Sequence, residues 1–311
     1  MALNKVILFV IDGMDTVNFT MAHAPVMSGI HGKTAVGVAH TEIIGAGTVL
    51  TPIAHAMMGT GSPDVVAARP GFETEGKCYN YYGEVVETIG DVAREAGLSR
   101  VAVGKNEAAI VLGGTGNLTR SYLELDGIDP SDEEVMTQEI LDAFYQMDKG
   151  ILVATYGGVD FTGHRKNLPR LIEAVEKADS IVGVLLKEAD LEETLLIIAA
   201  DHGTNPITGR HNTAPTPLCL MANNIAGRVN LGVVHNIEIA TTIAGALEVQ
   251  VPQRAVGRDL GELVHQLLAG EEVSLDYQLE MNRQLNAFFR KLPLRHKAEP
   301  ELGGRNNEKE R

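Results

Sequence analysis

The stretch LLIIAADHGTNP, residues 195–206, runs through six apolar residues and then meets Asp201, His202 and a turn. An unbroken apolar run closed by a turn signal is the pattern of a strand covered on both faces. Such strands form the interior of parallel sheets, and the polar pair stands where the chain leaves one. Taken alone, the pair is a strand end with a polar cap. Two further stretches share the form: KVILFVIDG, residues 5–13, ends in Asp12, and GILVATYGGVD, residues 150–160, ends in Asp160. SRVAVGK, residues 99–105, adds another strand.

Strands covered on both faces need helices between them, and the intervening sequence supplies the pattern. TPIAHAMMGTGSP, residues 51–63, reads as a helix with Pro52 in its first turn. GEVVETIGDVAREAG, residues 83–97, reads as an amphipathic helix closed by Gly97. Residues 131–146 form another, with Ser131 as N-cap and Glu134 three positions on. Apolar residues at 168, 171, 172, 175, 178, 182 and 185 trace one helical face. VVHNIEIATTIAGALEV, residues 233–249, reads as a further helix, and residues 15–50 as loops. The alternation predicts an α/β fold, a three-layer αβα sandwich with a mainly parallel central sheet. Without an internal repeat or a linker before about residue 270, residues 1–270 are expected to be one catalytic domain. Residues 271–295, with Leu279, Met281, Leu285, Phe288 and Phe289, are expected to form a C-terminal helix, either packed or in a homodimer contact. The polar stretch 296–311 is expected to be a disordered tail.

A net charge of −15 argues against nucleic-acid and anionic-membrane binding. It leaves an anionic small-molecule substrate open, because a bound metal supplies positive charge locally. Cys78 and Cys219 have no metal-site or disulfide-framework spacing, which fits a reducing compartment. MALNKVILFVIDGMD reads as a first strand rather than a signal peptide, and no apolar run approaches the ~20 residues of a membrane helix. The expected location is the cytoplasm.

In an open α/β sheet, ligands bind outside the carboxyl ends of the strands. Asp12, Asp160 and Asp201 delivered to that edge would repel one another unless cations sit among them. His164 and His202 accompany them, and His211 follows on a loop. A lone histidine after a strand is ordinarily a hydrogen-bonded loop residue, but this set offers six oxygen and nitrogen ligands and no thiolate. Such a set suits two divalent cations, Zn²⁺ or Mn²⁺. Two cations about 4 Å apart stabilise both the attacking and the leaving oxygen in phosphoryl transfer.

The ordered motifs IDGMD (11–15), TPIAHAMMGTG (51–61), VDFTGHR (159–165) and ADHGTNP with GRH (200–211) resemble the alkaline phosphatase superfamily of metalloenzymes. The resemblance is to the branch that holds cofactor-independent phosphoglycerate mutase, phosphopentomutase and the nucleotide pyrophosphatase/phosphodiesterases. It runs from residue 5 to about 220 and is completed by VGRDLGELV, residues 256–264. It implies that Thr51 is the nucleophile and a ligand of one metal, together with Asp12, Asp201 and His202. It also implies that Asp160, His164 and His211 hold the second metal, and that water hydrolyses a phospho-threonine. From the residues alone Thr51 is equally a helix N-cap. Thr48 and Thr60 are rival hydroxyls, but neither keeps the spacing to His55 and Gly61.

Other residues have two readings each. His55 is a leaving-group contact or a packed helix histidine. Arg165 and Lys105 are phosphate clamps or solvated charges, and Asn106 and Asn80 are possible donors to a phosphoryl oxygen. GGTGNLT, residues 113–119, lacks the Lys-Ser/Thr ending of a phosphate loop and reads as a flexible loop. His23, His31 and His40 read as loop or surface residues.

Mutases of the resembled branch carry an inserted cap that shields the intermediate from water. Gly61–Val159 leaves no room for one, so the expected activity is hydrolysis of a phosphate mono- or diester or a phosphonate. The alternatives are a phosphomutase and a non-catalytic, metal-stabilised binding protein. A sulfatase would need Cys or Ser in a C/S-x-P-x-R setting, and TPIAH does not supply it.

Overall fold

A computed structural model describes residues 3–28, 34–41, 49–68, 77–80, 82–123, 132–225 and 228–269. Eight strands form one sheet in the order Arg228–His235, Thr34–His40, Thr216–Met221, Thr194–Ala199, Lys5–Ile11, Gly150–Tyr156, Ser99–Gly104, Arg120–Leu123. Thr216–Met221 is antiparallel to both neighbours, and every other pairing is parallel.

Side chains alternate between the faces of a strand, and the central strand shows why its apolar run is continuous. Val6, Leu8 and Val10 pack in one core with Met58, Ile89, Ile239 and Ile243. Ile7, Phe9 and Ile11 pack in another with Ile140, Phe144, Leu171 and Val175. Helices Thr51–Thr60, Ile89–Glu95 and Glu238–Leu247 therefore cover one face, and Glu133–Gln146 and Leu168–Glu188 the other. This is the three-layer arrangement expected, with a mixed, mostly parallel sheet. Each fully buried Ile, Leu or Phe of the central strand contributes about 1.5–3 kcal/mol. Leu168–Glu188 buries Leu171, Ala174, Val175, Ala178, Ile181, Val182 and Leu185 along one stripe. It opens with the Asn167 side chain accepting from the Arg170 N–H, whereas Leu168 stays exposed.

Several boundaries differ from expectation, each for a local reason. Thr34–His40, within the presumed loops, is an interior strand whose Ala and Gly residues dilute its apolar signal. VVH of the presumed helix 233–249 belongs to strand Arg228–His235, and the helix starts at Glu238. Val85–Val86 joins a small sheet with Val65–Ala68 and Cys78–Asn80, so that helix is confined to Ile89–Glu95. A reciprocal Thr88–Asp91 capping box starts it. Asp132, rather than Ser131, caps Glu133–Gln146 by accepting from the Glu134 and Val135 N–H groups. Around Asn117 the chain is not a loose loop. Its buried side chain donates to Asp91 and to the Leu112 carbonyl and accepts from Arg94.

Ser131, Thr48, His31, the expected C-terminal helix and the tail lie outside the described residues. Among the described residues, no helix is long and apolar enough to cross a membrane.

Candidate metal centre

The register of the central strands brings the acidic exits to one edge. Ile11 pairs with Tyr156 and Val10 with Ala199, so the chain leaves all three strands side by side. The Asp12 N–H donates to the Tyr156 carbonyl at 3.0 Å, which holds the first carboxylate at the strand tip. Gly13 then turns the chain with φ +83°; a Cβ there would lie 2.6 Å from Thr204 Oγ1 and 2.8 Å from Asp160 Cα. Only glycine fits that approach.

Asp160 does not end a strand as expected. Gly150–Tyr156 stops four residues earlier, and Asp160 lies on helix Gly158–His164. On a helix, residues i and i+4 share a face, which stacks His164 over Asp160. The Asp160 N–H donates to the Asp12 carbonyl at 3.0 Å. Asp201 Oδ1 accepts from the N–H groups of Gly13 (3.1 Å) and His202 (2.9 Å), which fixes the carboxylate. His211 sits on a two-stranded ribbon, Gly203–Asn205 with Arg210–Asn212. Thr51 is the first helical residue of Thr51–Thr60; Leu50 occupies the N-cap position, so the Thr51 side chain does not cap.

Ligating atoms of Asp160, His164 and His211 lie within 4.8 Å of one another, and so do those of Asp12, Asp160 and His202. In the outer group Asp160 Oδ1 is 3.3 Å from both His164 Nε2 and His211 Nε2, and the two nitrogens are 3.1 Å apart. A tetrahedral ion with ligand bonds of about 2.0–2.1 Å has ligand–ligand edges of about 3.3–3.4 Å. The tautomers fit as well. His164 Nδ1 faces the Gly209 carbonyl and His211 Nδ1 the Val49 carbonyl, each at 2.8 Å. A carbonyl only accepts, so both Nδ1 atoms carry the proton and both Nε2 lone pairs point inward. Two such lone pairs tolerate a 3.1 Å separation when a proton or a cation lies between them.

The inner group is more deeply buried. His202 Nε2 is 2.8 Å from Thr51 Oγ1, 3.3 Å from Asp201 Oδ2 and 3.4 Å from Asp12 Oδ1. Asp12 Oδ1 and Asp201 Oδ2 are buried and, among the described residues, accept no hydrogen bond. Orphaned carboxylate oxygens in a dry interior are costly, and divalent cations are the partners that the donor set fits. Asp201 therefore meets the inner group through His202, while Asp160 belongs to both groups.

The electrostatics agree with this. Burial, reinforced by the Asp12 charge, pushes the Asp201 carboxyl well above its ordinary range. Burial lowers His202 to about 4, leaving it neutral and able to ligate at pH 7. Burial opposes charge on His211, but in the metal-free chain its hydrogen bonds to Asp160 and to the Val49 carbonyl and the charges of Asp160 and Asp12 together outweigh this and raise it above 6.5. Asp201 and His211 must both lose protons to ligate. Metal loading is thus expected to release protons, and apparent affinity to rise as pH climbs through and above 6.5. Calorimetric titration in buffers of differing ionisation enthalpy reads the released protons directly.

Lys105, read from the sequence as a phosphate clamp or a solvated charge, reaches into this cluster. Its ammonium bonds Asp12 Oδ2 and lies 4.0 Å from Asp160 Oδ2. Burial would lower its pKa, but Asp12, Glu107 and Asp160 together raise it. His55 takes the packed reading. It is fully buried, with Nδ1 donating to the Thr51 carbonyl (2.9 Å) and Nε2 3.1 Å from Thr155 Oγ1.

Arg165 lies one position past His164, about 100° around the helix. Its guanidinium stacks 3.3 Å from the Phe161 ring centroid, in a groove with Arg170, Glu173 and Lys177. Asn80 holds a turn, accepting from the Tyr82 and Glu84 N–H groups. Asn106 precedes helix Glu107–Val111. His23 is exposed, and the side chain of His40 is not described.

The layered fold and the paired Asp/His groups at its strand edge define an α/β metalloenzyme of alkaline phosphatase-like fold. The family described as "Metalloenzyme superfamily" matches residues 4–250, and the chain belongs to it. Phosphopentomutase of Clostridioides difficile is 30% identical over 172 residues, 53% of this chain and 41% of that enzyme. The 2,3-bisphosphoglycerate-independent phosphoglycerate mutase of Thermosynechococcus vestitus is 29% identical over 164 residues, 48% of this chain and 29% of that enzyme. The chain thus spans less than half the length of these relatives. Alkaline phosphatase from the Antarctic bacterium TAB5 shares the fold with a TM-score of 0.62 at 12% identity, covering 80% of this chain and all of that one.

Proposed function

We propose that the chain is a two-metal phosphohydrolase that cleaves a small-molecule phosphate mono- or diester, or a phosphonate, through a phospho-threonine on Thr51. The observation that carries this is the convergence of the Thr51 hydroxyl, His202 Nε2 and the two orphaned oxygens of Asp12 and Asp201. Asp12, Asp201, His202 and Thr51 would hold one divalent ion, Zn²⁺ or Mn²⁺, and Asp160, His164 and His211 the other. Such ions lower the pKa of a ligated hydroxyl and neutralise charge on phosphoryl oxygens.

The chain's own residues do the rest. Thr51 Oγ1 gives up its proton and attacks phosphorus. As the new P–O bond forms, the bond from phosphorus to the leaving group breaks, and that group departs with a proton taken up in place of the one Thr51 lost. Water then attacks phosphorus, the bond to Thr51 Oγ1 breaks and Oγ1 takes back a proton from that water. This releases phosphate from a monoester or phosphonate, or the remaining monoester from a diester. Lys105 contributes positive charge beside Asp12 and Asp160, and the first turn of Thr51–Thr60 favours an incoming anion. The net charge of −15 supports a small-molecule substrate over nucleic acid.

Hydrolysis is preferred to re-transfer because of what Gly61–Val159 builds. Its described residues form three strands of the main sheet, the helices that cover them and one small three-stranded sheet. None of these is a separate layer able to keep water from the intermediate. The names of the curated relatives favour the second reading, phosphomutase. Turnover of p-nitrophenyl phosphate and its bis ester with added Zn²⁺ or Mn²⁺, run in ¹⁸O-water, separates the two. Label in the released phosphate supports hydrolysis. Phosphoryl groups passed to a sugar or glycerate acceptor without label contradict it.

A further inference from the structure

Thr204 is fully buried beside the outer group and belongs to neither set of ligands. Its hydroxyl donates to Asp160 Oδ1 at 2.8 Å. That oxygen is also the one 3.3 Å from both His164 Nε2 and His211 Nε2. An ionised carboxylate only accepts, so the single hydroxyl proton of Thr204 is committed to this contact.

Two glycines leave the space that sets the Thr204 rotamer. A Cβ on Gly13 would lie 2.6 Å from Oγ1, and one on Gly163 would run into the methyl group Cγ2. Exchanging the hydroxyl and methyl would cost both the fit and the hydrogen bond. The backbone is equally held. The Thr204 N–H donates to the Gly13 carbonyl at 2.9 Å, and its carbonyl accepts from Asn18 Nδ2 at 3.0 Å. Asp15 ties this frame to the ribbon, with Oδ1 accepting from the Asn18 N–H (2.7 Å) and Oδ2 from Asn212 Nδ2 (2.9 Å). Thr204 and His211 are direct cross-strand partners in that ribbon. One residue is thus linked to the loop after the first strand, to the Asp160 carboxylate and to the strand carrying His211.

We propose that Thr204 is a positioning residue: it holds Asp160 Oδ1 at the apex shared with His164 and His211, so that the outer divalent cation meets a preformed site. The proposal rests on the two-metal reading. Residues that orient ligands in this way change metal affinity by about 10- to 100-fold when altered.

Calorimetric titration of the full chain with Mn²⁺ and with Zn²⁺ tests it, on Thr204→Val, Thr204→Ser and the wild type. The outer binding step is assigned by its loss in His164→Ala. Thr204→Val keeps the shape and drops the hydroxyl. It is expected to weaken the outer step about 10- to 100-fold, with the inner step changed far less. The metal concentration for half-maximal turnover should rise by the same factor, while kcat at saturating metal returns towards the wild-type value. Thr204→Ser keeps the hydroxyl and should recover most of the affinity. Wild-type affinities at both steps in Thr204→Val would overturn the proposal. Equal losses at both steps, with a large fall in melting temperature and no rescue by Ser, would overturn it too, because that is a general packing defect. A wild-type chain that binds no divalent ion would instead defeat the two-metal reading.

Discussion

Thr51→Ala is expected to lower metal-replete turnover at least about a thousandfold, as loss of a covalent nucleophile does, while the fold persists. The second half of the prediction follows from the structure. Thr51 does not cap its helix, and its hydroxyl contact is to His202 Nε2 rather than to the backbone. Removing it should change stability by no more than about 1 kcal/mol. Thr51→Ser retains the hydroxyl and should stay within about tenfold of the wild type. If Thr51→Ala hydrolyses both nitrophenyl esters at the wild-type rate, the nucleophile lies elsewhere.

Asp160→Asn is expected to have the second-largest effect, read as metal content. Asp160 belongs to both ligand groups, and its Oδ1 faces both outer histidines. Burial disfavours charge on it, yet the His211 hydrogen bond, Lys105 and Thr204 outweigh burial and hold the carboxyl below its ordinary range. An amide offers a neutral, weaker ligand in nearly the same shape, so packing survives and charge does not. Elemental analysis should fall from two ions per chain to one or fewer, and turnover should fall at least about a hundredfold. Two ions retained at wild-type affinity would remove Asp160 from the ligand set.

The parts of the site written into strand ends were legible in the sequence. Asp12 and the Asp201-His202 pair follow apolar runs covered on both faces, and those runs could be only interior strands. The order of the motifs pointed to Thr51 and His211, which the structure places beside His202 and beside Asp160 and His164. Legibility failed where the signal was local and weak. Gly157-Gly158 gives no helix signature, so the turn carrying Asp160 and His164 looked like more strand. Thr34–His40 is rich in small residues and was hidden among presumed loops. VVH before Glu238 is as apolar as a helix start, and pairing with Thr34–His40 decides it as strand.

Through-space roles left no trace at all. No spacing indicates that the Lys105 ammonium reaches Asp12, or that the Asn117 side chain locks a Gly-rich turn. Thr204 sat inside a quoted motif, yet its partner is 44 positions away. Such contacts arise from sheet register and helix placement, which pattern reading along the chain does not carry.

In the proposed function, two divalent ions at this strand edge activate Thr51 towards phosphorus. The most direct test is anomalous diffraction from crystals of the full chain grown with Mn²⁺ or Zn²⁺ and orthovanadate, a mimic of phosphorus under attack. Two anomalous peaks about 4 Å apart are expected, one among Asp12, Asp201, His202 and Thr51 and the other among Asp160, His164 and His211. Vanadium should lie within bonding distance of Thr51 Oγ1. Peaks elsewhere, or vanadate held away from Thr51 with both ions in place, would contradict it.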